Sequence, residues 1–149
     1  MTAGLPATHP RILFRVAAGP RLGFGHLVRG ARLARALGLP YRVSLRGGAE
    51  AARVARRLGA SLDCPTPGRL SQSAWDAVVV DDPHAPSGRR WLRAARRRGL
   101  LAVSIHDLGA GAEGADVVVD GTMGAPHRRW AGGRWYVGPR FAVLSDPLT

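Results

Sequence analysis

A glycine-rich loop that ends in a histidine is the feature of this sequence best suited to chemistry. Gly19, Gly23 and Gly25 lead directly to His26, between an apolar run and a stretch with helical spacing. Glycines at such a junction allow a tight turn and the close approach of a ligand, and the helix start offers unpaired N–H donors. The loop does not match a dinucleotide fingerprint, because Val28 stands where that motif requires its third glycine.

His26 is the candidate general base. At the amino-terminal end of a helix, the helix dipole disfavours the charged imidazolium, so we expect a neutral imidazole that can accept a proton. The residues alone leave a structural interpretation open. Turns between strands and helices use glycine for geometry, and a histidine at this place can simply cap or pack.

Further polar side chains come directly after later apolar runs, at the ends of predicted strands: Asp81, Asp82, His84, His106, Asp107, Asp120 and Thr122. In an open parallel sheet, the carboxyl ends of the strands form the edge where ligands bind. We therefore expect Asp81, Asp82 and Asp107 to line a substrate site together with the glycine loop. A metal site built from Asp81, Asp82, His84, His106 and Asp107 ranks lower, because their spacing matches no particular metal geometry.

The elements that would position these residues alternate between strand and helix patterns. Apolar runs predict strands over residues 11–17, 41–45, 77–80, 101–105 and 117–119, with 135–137 as a last strand. Helical spacing predicts helices over residues 26–37, 49–58 and 87–98, the last with Ser87 as its N-cap, and residues 61–73 are predicted to form a loop. The alternation predicts a Rossmann-like, doubly wound, mostly parallel α/β sheet in one domain over residues 11–149, after a flexible tail at residues 1–10.

Composition limits the classes of function. The chain of 149 residues has 22 basic residues, all arginine, against 10 acidic residues, which gives a formal net charge of +12. The lack of lysine excludes a Walker phosphate loop and Schiff-base catalysis, and a lone Cys64 excludes an intrachain disulfide. The sequence has no apolar run of membrane-spanning length and no signal-peptide pattern. We therefore expect a cytoplasmic protein with no membrane partner and no cofactor.

Several segments together resemble a known family. The stretch RILFRVAAGPRLGFGHLVRGARLARALG resembles the amino-terminal part of the UDP-2,4-diacetamido-2,4,6-trideoxy-β-L-altropyranose hydrolases of pseudaminic acid biosynthesis. These enzymes and their spore coat polysaccharide relatives belong to the GT-B superfamily. The residues that match the family motif are Arg15, Gly23, Gly25, His26 and Arg29. The likeness continues through VVVDD, HDL and DVVVDGTMG and returns in YVGPRFAVL.

The resemblance implies an enzyme that releases UDP from a UDP-sugar or a related sugar nucleotide. In that family the histidine of the loop activates water for attack at the anomeric carbon, which assigns this role to His26. Whether water or a hydroxyl acceptor attacks, as in a hydrolase or a glycosyltransferase, stays open. The substrate-binding residues would be Arg15, Gly23, Phe24, Gly25, Arg29, Asp81, Asp82 and Asp107. The chain would be the amino-terminal half of a GT-B fold, with the carboxyl-terminal half supplied by a separate chain or a second copy.

Two other functions stay open. Ala17 stands where the family motif has an aspartate, and Asp82 and Pro83 stand where the family has histidine and tyrosine. These differences favour a domain that binds a sugar nucleotide or a protein partner without catalysis. The arginine content alone would suit a nucleic-acid-binding protein. That function ranks last, because the arginines are dispersed over several predicted helices and no nucleic-acid-binding module is present.

Overall fold

The structure, a computed structural model, describes residues 9–105, 112–122 and 133–143. In chain order, its strands and helices are β1 (Ile12–Ala17), α1 (Gly25–Ala36), β2 (Arg42–Arg46), α2 (Ala49–Arg57), β3 (Ser61–Leu62), β4 (Ala77–Asp81), α3 (Ala85–Arg97), β5 (Leu101–Ile105), β6 (Val117–Asp120) and β7 (Arg134–Val137). Two short 3₁₀ turns lie at Pro67–Arg69 and Pro139–Phe141. In this part of the chain, no helix is long and apolar enough to cross a membrane.

The seven described strands form one sheet in which every neighbouring pair is parallel, in the order β3-β2-β1-β4-β5-β6-β7. This arrangement confirms the predicted Rossmann-like α/β fold. The chain runs outward from β1 through β2 and β3, returns to β4 beside β1, and then continues in the other direction. The reversal point lies between β1 and β4, and open parallel sheets bind ligands at the carboxyl edge of such a point.

Apolar side chains cover both faces of the sheet. On one face, α1 and α2 pack on a cluster that includes Phe14 and Val79, and on the other face α3 packs on a cluster that includes Leu13 and Val78. Successive residues of a strand point to opposite faces, so β4, which is buried along its whole length, contributes to both clusters. The sheet is therefore doubly wound, with a helical layer on each side.

Most of the predicted elements are confirmed to within one or two residues, because their hydrophobic patterns are long and regular. Two predictions are wrong in detail. The stretch predicted as a loop contains β3, a strand of two residues that pairs with the outer edge of β2. Such a strand is too short to show a period in the sequence.

The start of α3 is also different from the prediction. The helix begins at Ala85, and its N-cap is His84 rather than Ser87. The backbone N–H of Ser87 donates to His84 Nδ1 at 3.3 Å, so the imidazole takes the acceptor role that serine usually fills. Pro86 fits in the first turn, where its missing N–H has no intrahelical partner to lose.

Candidate functional site

Three polar side chains meet where β4 ends and α1 begins. Asp81 is the last residue of β4, and its side chain is only 4% exposed, against 18% for His26 and 19% for Arg29. His26 Nδ1 lies 2.8 Å from Asp81 Oδ1. Arg29 binds both oxygens of the same carboxylate, through Nε at 2.8 Å and Nη2 at 2.6 Å. We refer to His26, Arg29 and Asp81 as the His26 cluster.

The partners of Nδ1 determine the tautomer of His26. An ionised carboxylate only accepts hydrogen bonds, so Nδ1 carries the proton and donates it to Asp81. Arg29 Nη2 lies 3.2 Å from the same Nδ1, but it is also a donor, and both donors converge on Asp81 Oδ1. In the neutral imidazole, Nε2 then has no proton and is the atom that can accept one. The cluster thus has the geometry of a general base oriented by a buried carboxylate.

The glycine loop closes on itself before α1 begins. Gly19 and Gly23 exchange two backbone hydrogen bonds, at 3.1 and 2.7 Å, and Gly23 has a φ of +84°, which a side chain would make strained. Their N–H groups bond within the loop, so the donors that the loop offers lie at the start of α1. Phe24 is the N-cap, and its side chain has no polar atom to cap the helix; its ring packs against the core cluster under α1.

Gly25 opens space beside His26. A Cβ atom at Gly25 would meet no protein atom within 4 Å, and its backbone is not in the left-handed region, so neither packing nor conformation requires glycine there. A cavity of about 390 Å³ adjoins this point, lined by Leu22, Gly25, His26, Val28, Arg29, Arg32 and Val143. A second cavity, of about 180 Å³, shares Arg29 and Val143 with the first and extends over the ends of β5 and β6. The His26 cluster is therefore accessible from the carboxyl edge of the sheet.

Asp82 does not join the His26 cluster, because it follows Asp81 in an extended strand end and points to the other face. Arg46 donates to both of its oxygens, through Nε at 2.8 Å and Nη2 at 2.6 Å, and the backbone N–H of His84 donates at 2.9 Å. Burial raises the pKa of Asp82, but these hydrogen bonds outweigh it and hold the pKa below the usual value. The adjacent residues Asp81 and Asp82 thus bind different partners on opposite faces of the sheet.

Arg15 also lies on the face opposite His26. Its guanidinium carbon is 4.8 Å from the centre of the Trp91 ring, and Nη1 donates to Ser44 Oγ at 3.1 Å. Burial lowers the pKa of Arg15, Asp82 opposes this, and the nearby positive charge of Arg46 adds to the lowering. Arg15 and Asp82 were predicted in one substrate site with His26, and the structure separates them from it by the thickness of the sheet.

The sequence prediction missed a cleft on this second face. We refer to the space between β1, β2 and the start of α3, with its side chains Arg15, Arg46, His84, Arg90 and Trp91, as the basic cleft. Arg46 lies at the end of β2 on the same face as Ser44, and alternation along that strand was the signal that could have placed it. Arg90 is an exposed residue of α3, and no motif in the sequence marks it.

Asp107 and His106, predicted to follow the strand over residues 101–105, lie outside the described residues. Within the described residues, no group of three or more His, Cys, Asp or Glu side chains could hold a metal ion, and Asp81 and Asp82 face opposite sides of the sheet.

No protein-family model, curated protein or solved structure matches this chain.

Proposed function

We propose that this protein uses His26 as a general base to activate water or a hydroxyl group for attack on a sugar nucleotide. The observation that carries the proposal is the 2.8 Å contact between His26 Nδ1 and the buried carboxylate of Asp81. This contact directs the basic Nε2 away from the carboxylate. A histidine that served only as a helix cap would use its ring nitrogen for the backbone N–H groups of α1, and His26 uses it for Asp81.

In the proposed reaction, Nε2 of His26 takes a proton from the attacking oxygen as that oxygen bonds to the anomeric carbon. The bond between the anomeric carbon and the phosphate oxygen breaks, and the nucleoside diphosphate leaves with the bonding electron pair. Asp81 stabilises the imidazolium that forms, and the imidazolium then releases its proton to solvent. The positive end of the α1 dipole lies beside His26, where negative charge develops on a leaving phosphate.

Arg29 has a positioning role in this scheme. Its guanidinium donates a hydrogen bond to each oxygen of Asp81. These two bonds fix the plane of the carboxylate to which His26 is also bonded. A bidentate pair of this kind has one preferred geometry, so it limits the rotation of Asp81 and, through it, of the imidazole ring. The catalytic residue is His26, and Asp81 and Arg29 set its orientation.

The sugar nucleotide is proposed from the motif that Gly23, Gly25, His26 and Arg29 share with the UDP-sugar hydrolases. In that family a second domain closes over the carboxyl edge of the first. We therefore propose that the active species includes a second domain that covers this edge of the sheet. The open cavities beside His26 are compatible with such a cover.

The test is the release of UDP from a panel of UDP-sugars, measured by chromatography, with the protein alone and with a candidate carboxyl-terminal half. His26→Ala should lower the rate by about 10²–10⁴-fold, the usual contribution of a positioned base. The matched control is Arg97→Gln, an exposed residue of α3 outside both clefts. Equal rates for His26→Ala and the wild type would contradict the proposal.

A binding domain without catalysis is the second candidate. Ala17 is fully buried and apolar at the position where the related motif carries an aspartate, so one polar group of that motif is missing. This candidate predicts that calorimetry detects the binding of UDP-sugars. It also predicts that no UDP is released, with or without the candidate carboxyl-terminal half. Turnover that depends on His26 would exclude it.

A further inference from the structure

Among the described residues, the arginines that line the basic cleft outnumber the carboxylates paired with them. Its volume is about 540 Å³, and its wall also includes Pro65, Thr66, Pro67, Pro86 and Ser87. Three guanidinium groups line it, those of Arg15, Arg46 and Arg90, and the carboxylate of Asp82 accepts hydrogen bonds from Arg46. Since Asp82 pairs with Arg46, the charges of Arg15 and Arg90 are in excess among the described residues.

Arg15 is the least compensated of these groups. It is half-buried, and among the described residues no carboxylate forms an ion pair with it. Its Nε is buried and has no hydrogen-bond partner. The face of Trp91 and the hydroxyl of Ser44 give only partial compensation. A buried cation and a buried unpaired N–H group are both unfavourable unless another group, such as a bound anion, satisfies them.

The cleft offers further donors in positions that suit an anion. His84 Nδ1 accepts from the backbone N–H of Ser87, so in the neutral ring Nε2 carries the proton and is a donor. His84 is also the N-cap of α3, which has 13 residues and no acidic residue in its first turn. The positive end of this helix dipole therefore adds to the charge of the arginines.

We propose that the basic cleft binds a small molecule through a phosphoryl group, with Arg15 and Arg90 as its main ligands. A tetrahedral phosphoryl group has enough oxygen atoms to accept from two guanidinium groups and from His84 at once. The cleft volume falls within the range of small-molecule sites. The proposal is independent of the function proposed for His26, because the two places lie on opposite faces of the sheet.

The test is isothermal titration calorimetry of the protein with inorganic phosphate and with glucose 1-phosphate, at one fixed salt concentration. Arg90→Gln and Arg15→Gln should each weaken binding by roughly tenfold or more, because each removes a charge-assisted hydrogen bond. Arg97→Gln removes the same charge from the same helix, away from the cleft, and should leave the affinity unchanged.

The two probes distinguish the source of the phosphoryl group. Tighter binding of glucose 1-phosphate than of inorganic phosphate indicates that the cleft also contacts the organic part of the ligand, and equal binding indicates a site for the phosphoryl group alone. Both results support the proposal if the variants behave as stated. If Arg15→Gln fails to fold, as judged by circular dichroism, the exposed Arg90 decides. The proposal is overturned if neither probe binds at millimolar concentration, or if Arg97→Gln weakens binding as much as Arg90→Gln.

Discussion

The two faces of the sheet use the same pair of adjacent aspartates in different ways. On the α1 face, the carboxylate of Asp81 is shared by His26 and Arg29. On the α3 face, Asp82 is bound by Arg46, and among the described residues no carboxylate forms an ion pair with Arg15. The carboxylate on the α1 face therefore orients a histidine, and the described arginines around Asp82 on the α3 face outnumber it.

This difference follows from strand geometry. Side chains alternate along a strand, so two acids in sequence at the end of β4 are delivered to opposite faces. The same strand end thus supplies an orienting carboxylate to one site and a partial counter-charge to the other. Polar residues that are adjacent in sequence at a strand end need not belong to one site.

The largest expected effect concerns turnover. Asp81→Asn should lower the rate of UDP release by about 10²–10⁴-fold, because the amide no longer fixes the proton on Nδ1 of His26. Asp82→Asn leaves the partners of His26 intact, so its rate should fall far less. Steady-state kinetics of both variants, with the protein assayed as in the His26 experiment, measures the contrast. Equal losses would show that the two faces are not separate.

The next effect concerns stability. Asp81→Asn should lower the free energy of unfolding by roughly 2–3 kcal/mol, because it leaves Arg29 largely buried without its carboxylate. Asp82→Asn should cost about 1 kcal/mol, since the side chain of Arg46 is 42% exposed and water can solvate it. Urea denaturation at neutral pH measures both values. A larger loss for Asp82→Asn would reverse the proposed ranking of the two carboxylates.

The next effect is the loss, in acid, of the stabilisation provided by Asp76. Asp76, just before β4, accepts side-chain and backbone hydrogen bonds from Arg11, and these lower its pKa from 3.8 to about 2. A carboxyl group with a lowered folded-state pKa stabilises the fold above its unfolded pKa, and this contribution is lost as the pH falls through the folded pKa. The difference in unfolding free energy between wild type and Asp76→Asn should therefore be constant above about pH 5 and shrink toward pH 2.

Urea titrations at several pH values would measure this dependence. The matched control is Asp63→Asn, which removes a carboxylate paired with Arg42 of β2 at 3.0 Å. A difference for Asp76→Asn that grew as the pH fell would contradict the assignment.

The smallest expected effects concern Gly25, whose lack of a side chain affects both the stability of the fold and the space beside His26. Gly25→Ala places a methyl group where no protein atom lies within 4 Å, so stability should rise by about 0.5 kcal/mol from the reduced flexibility of the unfolded chain. The same methyl group would occupy the space beside His26, so KM for the sugar nucleotide should rise several-fold. Thermal unfolding and steady-state kinetics give the two quantities. A higher stability with an unchanged KM would mean that the ligand does not approach Gly25.

Local patterns were sufficient to predict most of the fold. The continuous apolar run of β4 and the spacing of Leu27 and Ala34 in α1 reflect burial directly, so these elements could be placed from the sequence. The N-cap of α3 could not be predicted in the same way. Serine is the common cap, and the imidazole of His84 took that role only because the chain enters the helix two residues earlier.

The site was predictable in part. The motif singled out His26, and the position after an apolar run singled out Asp81. Their pairing depends on β4 lying next to β1, which is a property of the whole sheet and leaves no local pattern. The assignment of Arg15 and Asp82 to the same site as His26 neglected the alternation of side chains, which the sequence does contain.

The central position of β1 also has a consequence for the order of folding during synthesis. Of the described strands, β1 leaves the ribosome first, and β2 can cover one of its edges soon afterwards. The other edge of β1 pairs with β4, and the hydrogen bonds from Arg11 to Asp76 join residues 65 positions apart. One edge of β1 therefore stays unpaired until the residues up to β4, 65 positions further along the chain, have been translated. During this interval the unpaired apolar strand exposes the nascent protein to aggregation.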